Sequence, residues 1–323
     1  MLETKIGTDI SYAATLLQQG EVVAIPTETV YGLAGNALDT HSIEKIYIAK
    51  QRPLFNPLIL HTHSIDAIKQ FAQITEATIT IAQHFMPGAL TLLLPKKAIV
   101  PDLLTAGSSK VAVRIPNHPV TLALLQQLPF PLAAPSANPF GYISPVTAAH
   151  VLKGLQHQIS YILDGGTCSV GVESTIIEVL PQVVMVHRVG GVAVEAIQNV
   201  TNLPVQVVKK HTSQQVQTPG QLKSHYAPHT PLYVGDINHL YEQYGKGKRV
   251  AVIALRQMYT QPNITNFTLS ENGDIALAAS HLFEVMHTID GGNFDVILAE
   301  SFPETGLGLA INDRLHRAQV QWK

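Results

Sequence analysis

The chain is short of charge, of cysteine and of long apolar runs, and each shortage excludes something. Charged residues make up 14% of the 323 residues and the formal net charge is −2. There is therefore no global basic field of the kind that drives non-specific nucleic-acid binding, although a local basic cleft remains compatible with that balance. The single cysteine, Cys168, excludes a disulfide framework and a cysteine-built metal centre, and it fits a reducing compartment. No window holds about 18 uninterrupted apolar residues, so no membrane span is expected. Residues 1–6 carry no basic segment leading into an apolar core, so no signal peptide is expected either. The expectation is a cytoplasmic α/β protein without membrane partners.

Several familiar sites are absent too. There is no G-x-x-x-x-G-K-[ST] phosphate loop, and Gly306-Leu307-Gly308 begins a G-x-G-x-x-G but does not complete it. There is no G-x-S-x-G elbow and no H-E-x-x-H. The 15 histidines do not fall into a metal-ligand spacing, so no protein-built metal site is expected.

The organising stretch is Thr27-Glu28-Thr29-Val30-Tyr31-Gly32-Leu33. It follows the apolar run Glu21–Pro26, which reads as a buried strand ended by Pro26, a residue with no N–H to donate. Hydroxyls at the carboxyl end of such a strand can meet a ligand or simply bond their own backbone. Helices are expected near 9–19, 41–50, 64–73, 77–84 and 118–127, with Thr40 or Ser42 capping the second. Another should start after Ser144-Pro145, with Ser144 as its cap. Strands are expected at 58–61, 90–95, 110–116, 131–134, 160–163, 174–179, 183–189 and 204–208. Together these predict a twisted mixed sheet with helices packed on it. Between 209 and 230 the apolar rhythm stops, and Thr, Ser, Gln, Pro, Gly and His dominate. The rhythm restarts at 231, where strands at 232–234, 249–255 and 294–299 alternate with helices near 237–244, 273–289 and 308–319. The organisation predicted is a first domain over 1–208, a linker over 209–230, and a smaller parallel α/β domain over 231–323.

The polar residues at the expected strand ends pair cations with hydroxyls and amides. They are Thr27 and Thr29, Lys50 and Arg52, Asn56 and His61, Lys110 and Arg114, then Ser136, Asn138, Ser144, Ser174, Thr175 and Arg188. Arginine grips phosphate or carboxylate in a bidentate way. Arg114 and Arg188 lie among apolar strand neighbours, where an unpaired charge is costly. Each either pairs with an acid or faces a cleft that receives an anion. Acids are scarce in these segments, Glu28 and Glu173 excepted, which favours the cleft. Several cations, hydroxyl donors and no evident nucleophile suit adenylation, in which a carboxylate attacks the α-phosphate of ATP, better than hydrolysis.

Lys50-x-Arg52, Asn56-Pro57-Leu58 and Ser136-x-Asn138 resemble the signature of the YrdC-like L-threonylcarbamoyladenylate synthases. So do Pro26–Leu33, Val111–Pro116 and Glu173–Ile177, and all of these occur in the family's order. Pro219-Gly220 and His225-Tyr226-Ala227-Pro228 resemble the linker of the two-domain form, which carries a Rossmann-like C-terminal domain. The resemblance implies that L-threonine, bicarbonate (or CO2) and ATP yield threonylcarbamoyl-AMP and pyrophosphate. Mg2+ would accompany ATP, with no tightly bound organic cofactor. Downstream transferase proteins would move the threonylcarbamoyl group to tRNA, whose contact with this chain would be indirect or weak.

By resemblance, Thr29, His61, Arg114, Ser174 and the backbone at Ala134 would hold threonine. Lys50 and Arg52 would form the catalytic pair. With Asn56, Ser136, Asn138, Ser144, Arg188 and Lys110, they would hold ATP, and Tyr226 would close over it. The chain departs from the family's pattern at Phe140, usually serine, at Ala89, usually proline, and at Ser224, usually basic. Two alternatives remain: an RNA- or tRNA-binding module, and another carbamoyl-transfer enzyme like the hydrogenase-maturation proteins that share this domain.

Overall fold

A computed structural model describes residues 2–208 and 225–320. The first part contains, in chain order, β1 Lys5–Gly7, α1 Ile10–Gln18, β2 Val23–Ile25, β3 Gly32–Asn36, α2 Thr40–Lys50, β4 Ile59–His61, α3 Ile65–Phe71, α4 Glu76–Phe85 and β5 Leu90–Pro95. It continues through α5 Asp102–Thr105, β6 Lys110–Arg114, α6 Pro119–Gln127, β7 Leu132–Ala133, α7 Ala148–Leu155, β8 Tyr161–Leu163, β9 Thr175–Leu180, β10 Val183–Arg188, α8 Val194–Gln198 and β11 Val205–Val207. These strands form one 11-stranded sheet in the order β1-β8-β2-β3-β7-β4-β6-β5-β9-β10-β11. It is mixed: β4 runs parallel to β6, whereas β5 with β6 and β9 with β10 are antiparallel.

The second part contains β12 Leu232–Val234, α9 Ile237–Leu240 running into a π-turn over Tyr241–Gly245, β13 Val250–Ala254, β14 Ile264–Thr268, α10 Ile275–Asp290, β15 Val296–Ala299 and α11 Gly308–Ala318. Its 4-stranded sheet, ordered β12-β15-β13-β14, is parallel throughout. The mixed sheet and the smaller parallel sheet are the α/β architecture expected. Among the described residues, no helix is long and apolar enough to cross a membrane.

Some local expectations were displaced by better chemistry. Asp39, not Thr40 or Ser42, caps α2, because its carboxylate accepts from both His41 N (3.2 Å) and Ser42 N (3.0 Å). Thr147, not Ser144, caps α7, and the Ser144 hydroxyl is taken instead by Glu173 at 2.6 Å. Three strands were not anticipated. β1 and β14 are short or interrupted by polar residues at sheet edges, and β3 is the glycine-rich Gly-Leu-Ala-Gly-Asn. The glycines of β3 are needed for close packing. A Cβ at Gly35 would lie 3.2 Å from Ile46 Cδ1, and one at Gly32 would lie 3.1 Å from Ala134 Cβ.

The two parts share one apolar core. A single buried cluster runs from Val30 and Leu60 through Tyr226 to Phe283, Met286 and Leu315. Polar ties cross the same seam. Tyr142 donates to Asp290 at 2.7 Å, and the His287 Nε2 lies 3.1 Å from the Ser144 carbonyl. Gly171 is packed so tightly against α10 that a Cβ there would come within 2.5 Å of the Ser280 backbone.

Candidate active site

Parallel pairing of β4 with β6 sets His61 beside Arg114 at the carboxyl ends of their strands. Arg188 ends β10, and Ser174 precedes β9, its antiparallel neighbour. Ala134 and Ser136 follow β7. These ends converge on one cleft, lined by Arg52, His61, Arg114, Ala134, Ser136, Ser174 and Arg188, and also by Glu173, His225 and Tyr226. Strand ends in an open α/β sheet are where backbone and side-chain donors can meet a ligand without breaking the ladder. With Tyr226 in place the cleft encloses about 50 Å3, room for a water or two but not for a nucleotide.

The cations are buried and differently restrained. Arg52 donates from Nε to the Asn56 carbonyl (3.2 Å) and from Nη2 to the Pro57 carbonyl (3.0 Å), which bends the Lys50–Leu58 loop around its guanidinium. Burial pushes it down to about 10. Arg188 donates to both the carbonyl and the hydroxyl of Ser174 at 3.0 Å, and burial likewise lowers it to about 10. Arg114 meets Glu28 at 2.7 Å. The scarcity of acids in these segments favoured a cleft-facing Arg114 over an acid-paired one; the structure has both, with Arg114 lining the cleft and paired to Glu28. Glu28 lies far from Arg114 in sequence and reaches it only because the turn after β2 folds over the end of β6.

His61 is held neutral. Burial, then the neighbouring Arg114, lowers it to about 3. Its Nδ1 lies 3.1 Å from the Ile59 carbonyl, which can only accept, so the proton sits on Nδ1 and Nε2 is an acceptor. Glu173 is held ionised. Burial alone would raise it, but Arg314, Arg188 and the Ser144 hydroxyl outweigh that and bring it down to about 2.

The remaining predicted residues divide. Lys50 is buried at the end of α2, and its ammonium donates to the Ser136 and Asn138 carbonyls, clamping the Ser136-x-Asn138 loop from behind. Burial and then Arg52 depress it well below an ordinary lysine. Asn56 is fully buried, and neither polar atom of its side chain has a hydrogen-bond partner among the described residues. Asn138 donates to the Pro139 and Tyr142 carbonyls, while its Oδ1 is unpartnered among those residues. Such orphans are costly unless something arrives to bond them. Thr29 is buried against Thr27 (2.9 Å between hydroxyls), and Thr27 in turn bonds the backbone of its own turn.

Lys110 stands apart: it begins β6 while Arg114 ends it, it is half-exposed, and it pairs with Glu178. The structure does not bring it to the cleft. Phe140, the departure from the expected serine, lies edge-on to His225 with ring centroids 5.8 Å apart, and the Arg52 guanidinium sits 5.9 Å from the Phe140 ring centroid.

Tyr226 forms the roof. It is buried, its backbone adopts φ +65°, and its neighbours fix it: Ala227 N donates to the Gly141 carbonyl (2.8 Å) and His225 N to the Arg317 carbonyl (3.0 Å). The expected linker residues 209–224, including Pro219-Gly220 and Ser224, lie outside the described residues. Sequence reasoning missed His225 and Arg314. His225 adjoins Tyr226 and was available to it; Arg314 sits in an amphipathic helix far along the chain and carried no local signal.

Comparisons with known proteins place the chain in a family. Residues 15–190 match the Sua5/YciO/YrdC family model, described as Telomere recombination, and residues 192–319 match the model described as Threonylcarbamoyl-AMP synthase, C-terminal domain. The threonylcarbamoyl-AMP synthase of Bacillus subtilis is 40% identical, with 96% of this chain and 92% of that protein covered. That of Pyrococcus abyssi is 38% identical, with 96% and 93% covered. The crystal structure of P. abyssi Sua5 complexed with L-threonine superposes with a TM-score of 0.88 at 35% identity, covering 99% of this chain and 100% of that one. Since these matches run through both sheets and nearly end to end, the chain belongs to the threonylcarbamoyl-AMP synthase family.

Proposed function

We propose that this chain condenses L-threonine, bicarbonate or CO2, and ATP into threonylcarbamoyl-AMP and pyrophosphate in the cleft beneath Tyr226. The observation that carries the reading is the convergence of Arg52, Arg114 and Arg188 with a neutral His61 in one closed cleft. Arg114, steadied by Glu28, takes the threonine carboxylate. Ser174 and the Ala134 backbone, on the cleft wall, complete the amino-acid site together with Thr29 of the buried Thr27–Thr29 turn, and His61 Nε2 accepts from the threonine amine or hydroxyl. Arg52, Ser136 and Arg188 meet the triphosphate. Lys50 keeps the Ser136-x-Asn138 loop in position, and Asn56, Asn138 and Ser144 stand behind it. Lys50 and Arg52 are the pair on which nucleotide transfer depends most.

The chemistry needs position and charge more than a strong base. The threonine amine adds CO2 and gives up a proton to water, leaving a carbamate that is already anionic. A carbamate oxygen then forms a bond to the α-phosphorus, the bond to the bridging oxygen breaks, and its electron pair leaves with pyrophosphate. Buried guanidinium groups stabilise the charge that accumulates on the phosphoryl oxygens. Mg2+ bound to the incoming ATP would neutralise part of the triphosphate beside Arg52 and Arg188. Among the described residues, no group of three or more His, Cys, Asp or Glu is arranged to hold a metal.

Residues 1–208 act as the catalytic domain, 209–230 as a lid, and 231–323 as the domain that anchors the lid. The small volume under Tyr226 supports a lid that opens to admit substrate and then shields a hydrolysable product. The product passes in the cytoplasm to transferase proteins that modify tRNA. Pyrophosphate release from MgATP, measured with threonine and bicarbonate each left out in turn, tests the reading. Release that requires both supports it; release indifferent to threonine overturns it.

A further inference from the structure

One buried charge in the cleft is an acid, and a cleft for ATP should not tolerate it. Glu173 lines the wall, directly before Ser174. What offsets it comes from the second sheet's layer. Arg314 of α11 is fully buried and donates from Nε to Glu173 Oε2 at 2.7 Å. Its Nη1 bonds the Val189 carbonyl (3.0 Å) and Asp313 (2.7 Å). Its guanidinium carbon lies 5.3 Å from the Tyr226 ring centroid, within cation–π range. The other Glu173 oxygen accepts from the Ser144 hydroxyl at 2.6 Å. One arginine from the second domain thus touches the roof residue, and through Glu173 it reaches Ser144, beside the Ser174–Arg188 pair.

We propose that Arg314 is a positioning residue of the active site: it neutralises Glu173 and holds Tyr226, so that the second domain completes the nucleotide pocket. The inference rests on the reading of the cleft as the ATP site. Without Arg314, the Glu173 carboxylate keeps only the Ser144 hydroxyl and the charge of Arg188, so it repels the incoming triphosphate, and the Tyr226 ring loses its cationic face. A buried charge that loses its partner is penalised far more than one that never existed. The proposal therefore predicts that removing Glu173 as well restores much of what removing Arg314 takes away.

The groups facing Glu173 are Arg314, Arg188, Ser144, His225 and Tyr226. Burial lowers His225 to about 3 and raises Tyr226 to about 12, so neither titrates near neutrality. In an Arg314→Met variant, Glu173 is the group among these whose protonation changes between mildly acidic and alkaline pH.

The test is MgATP affinity of the full chain by calorimetry at mildly alkaline and mildly acidic pH, for wild type, Arg314→Met, Arg314→Lys and the double variant Glu173→Gln/Arg314→Met. Arg314→Met should weaken binding about tenfold or more at alkaline pH and recover as Glu173 protonates. Arg314→Lys should lose less, and the double variant should bind within about threefold of wild type. Unchanged affinity in Arg314→Met overturns the inference. So does a loss that neither acid nor the double variant repairs, since that marks a purely structural role. If Arg314→Met does not fold, folding and binding by the double variant support the inference, and failure of both overturns it. Wild type that does not bind MgATP sinks the ATP-site reading itself, a different failure.

Discussion

Arg114 and Glu28 meet at 2.7 Å beneath the cleft, both buried, and the second Glu28 oxygen accepts from Asn117 N at 3.0 Å. The arginine therefore has one face committed to the protein and one to the cleft. Truncation to Arg114→Met strands Glu28 in the interior. It should cost roughly 3–5 kcal/mol of stability, read by urea denaturation, and abolish threonine-dependent pyrophosphate release. A stable variant with normal threonine dependence would contradict the role given to Arg114.

Acid should weaken the fold in two stages. The neutral histidines His61, His225 and His287 are each lowered from 6.5 to about 3. The unfolded chain binds protons there first, so their contribution falls as pH drops below about 6.5 and continues to fall toward 3. Glu173 is lowered from 4.5 to about 2, so its contribution is complete above 4.5 and disappears between 4.5 and 2. That second stage is on the order of 3 kcal/mol. Thermal melts from neutral pH to pH 2 should show both stages, and Glu173→Gln should flatten only the lower one.

Lys50 should matter through the loop it clamps. Its ammonium bonds two carbonyls of the Ser136–Asn138 segment rather than any carboxylate. Lys50→Met is expected to lower kcat/KM for ATP by about 100-fold, on the scale of a displaced positioning group, with little change in threonine binding. Equal losses for both substrates would instead indicate general disruption of the cleft.

Lys110 should not matter for the nucleotide. It pairs with Glu178 at the far end of β6 from Arg114. Lys110→Ala should leave the KM for ATP within about twofold and cost at most about 1 kcal/mol in stability. A large rise in KM would return it to the site.

Phe140→Ser restores the residue common in the family and removes the edge-on contact with His225. The loss of one aromatic contact is worth about 0.5–1.5 kcal/mol, enough to loosen the roof locally. Faster amide exchange at Ala227, whose N–H bonds the Gly141 carbonyl, is the expected readout. Unchanged exchange would show that the backbone bonds alone hold the roof.

Much of this was legible in the sequence because it is local. The apolar run of β13 and the leucine-rich β5 announce buried strands, and Lys50-x-Arg52 and Ser136-x-Asn138 are short enough to read in place. What escaped depends on partners distant in the chain. Nothing near Arg114 identifies Glu28 as its acid, and nothing near Glu173 identifies Arg314. Lys110 and Arg114 share a strand, so spacing alone cannot say that one end reaches the cleft and the other a surface pair. β3 was hidden because its glycines read as a turn, although tight packing against Ile46 and Ala134 is what demands them.

The order of the large sheet bears on how the protein survives at high concentration. Among the described residues, the sheet of eleven strands ends in two edges, and both, β1 and β11, are three residues long. Edges so brief offer a foreign strand almost no register to follow, and templated growth needs one. The large sheet thus resists edge-to-edge association by geometry rather than by surface charge, of which the chain has little.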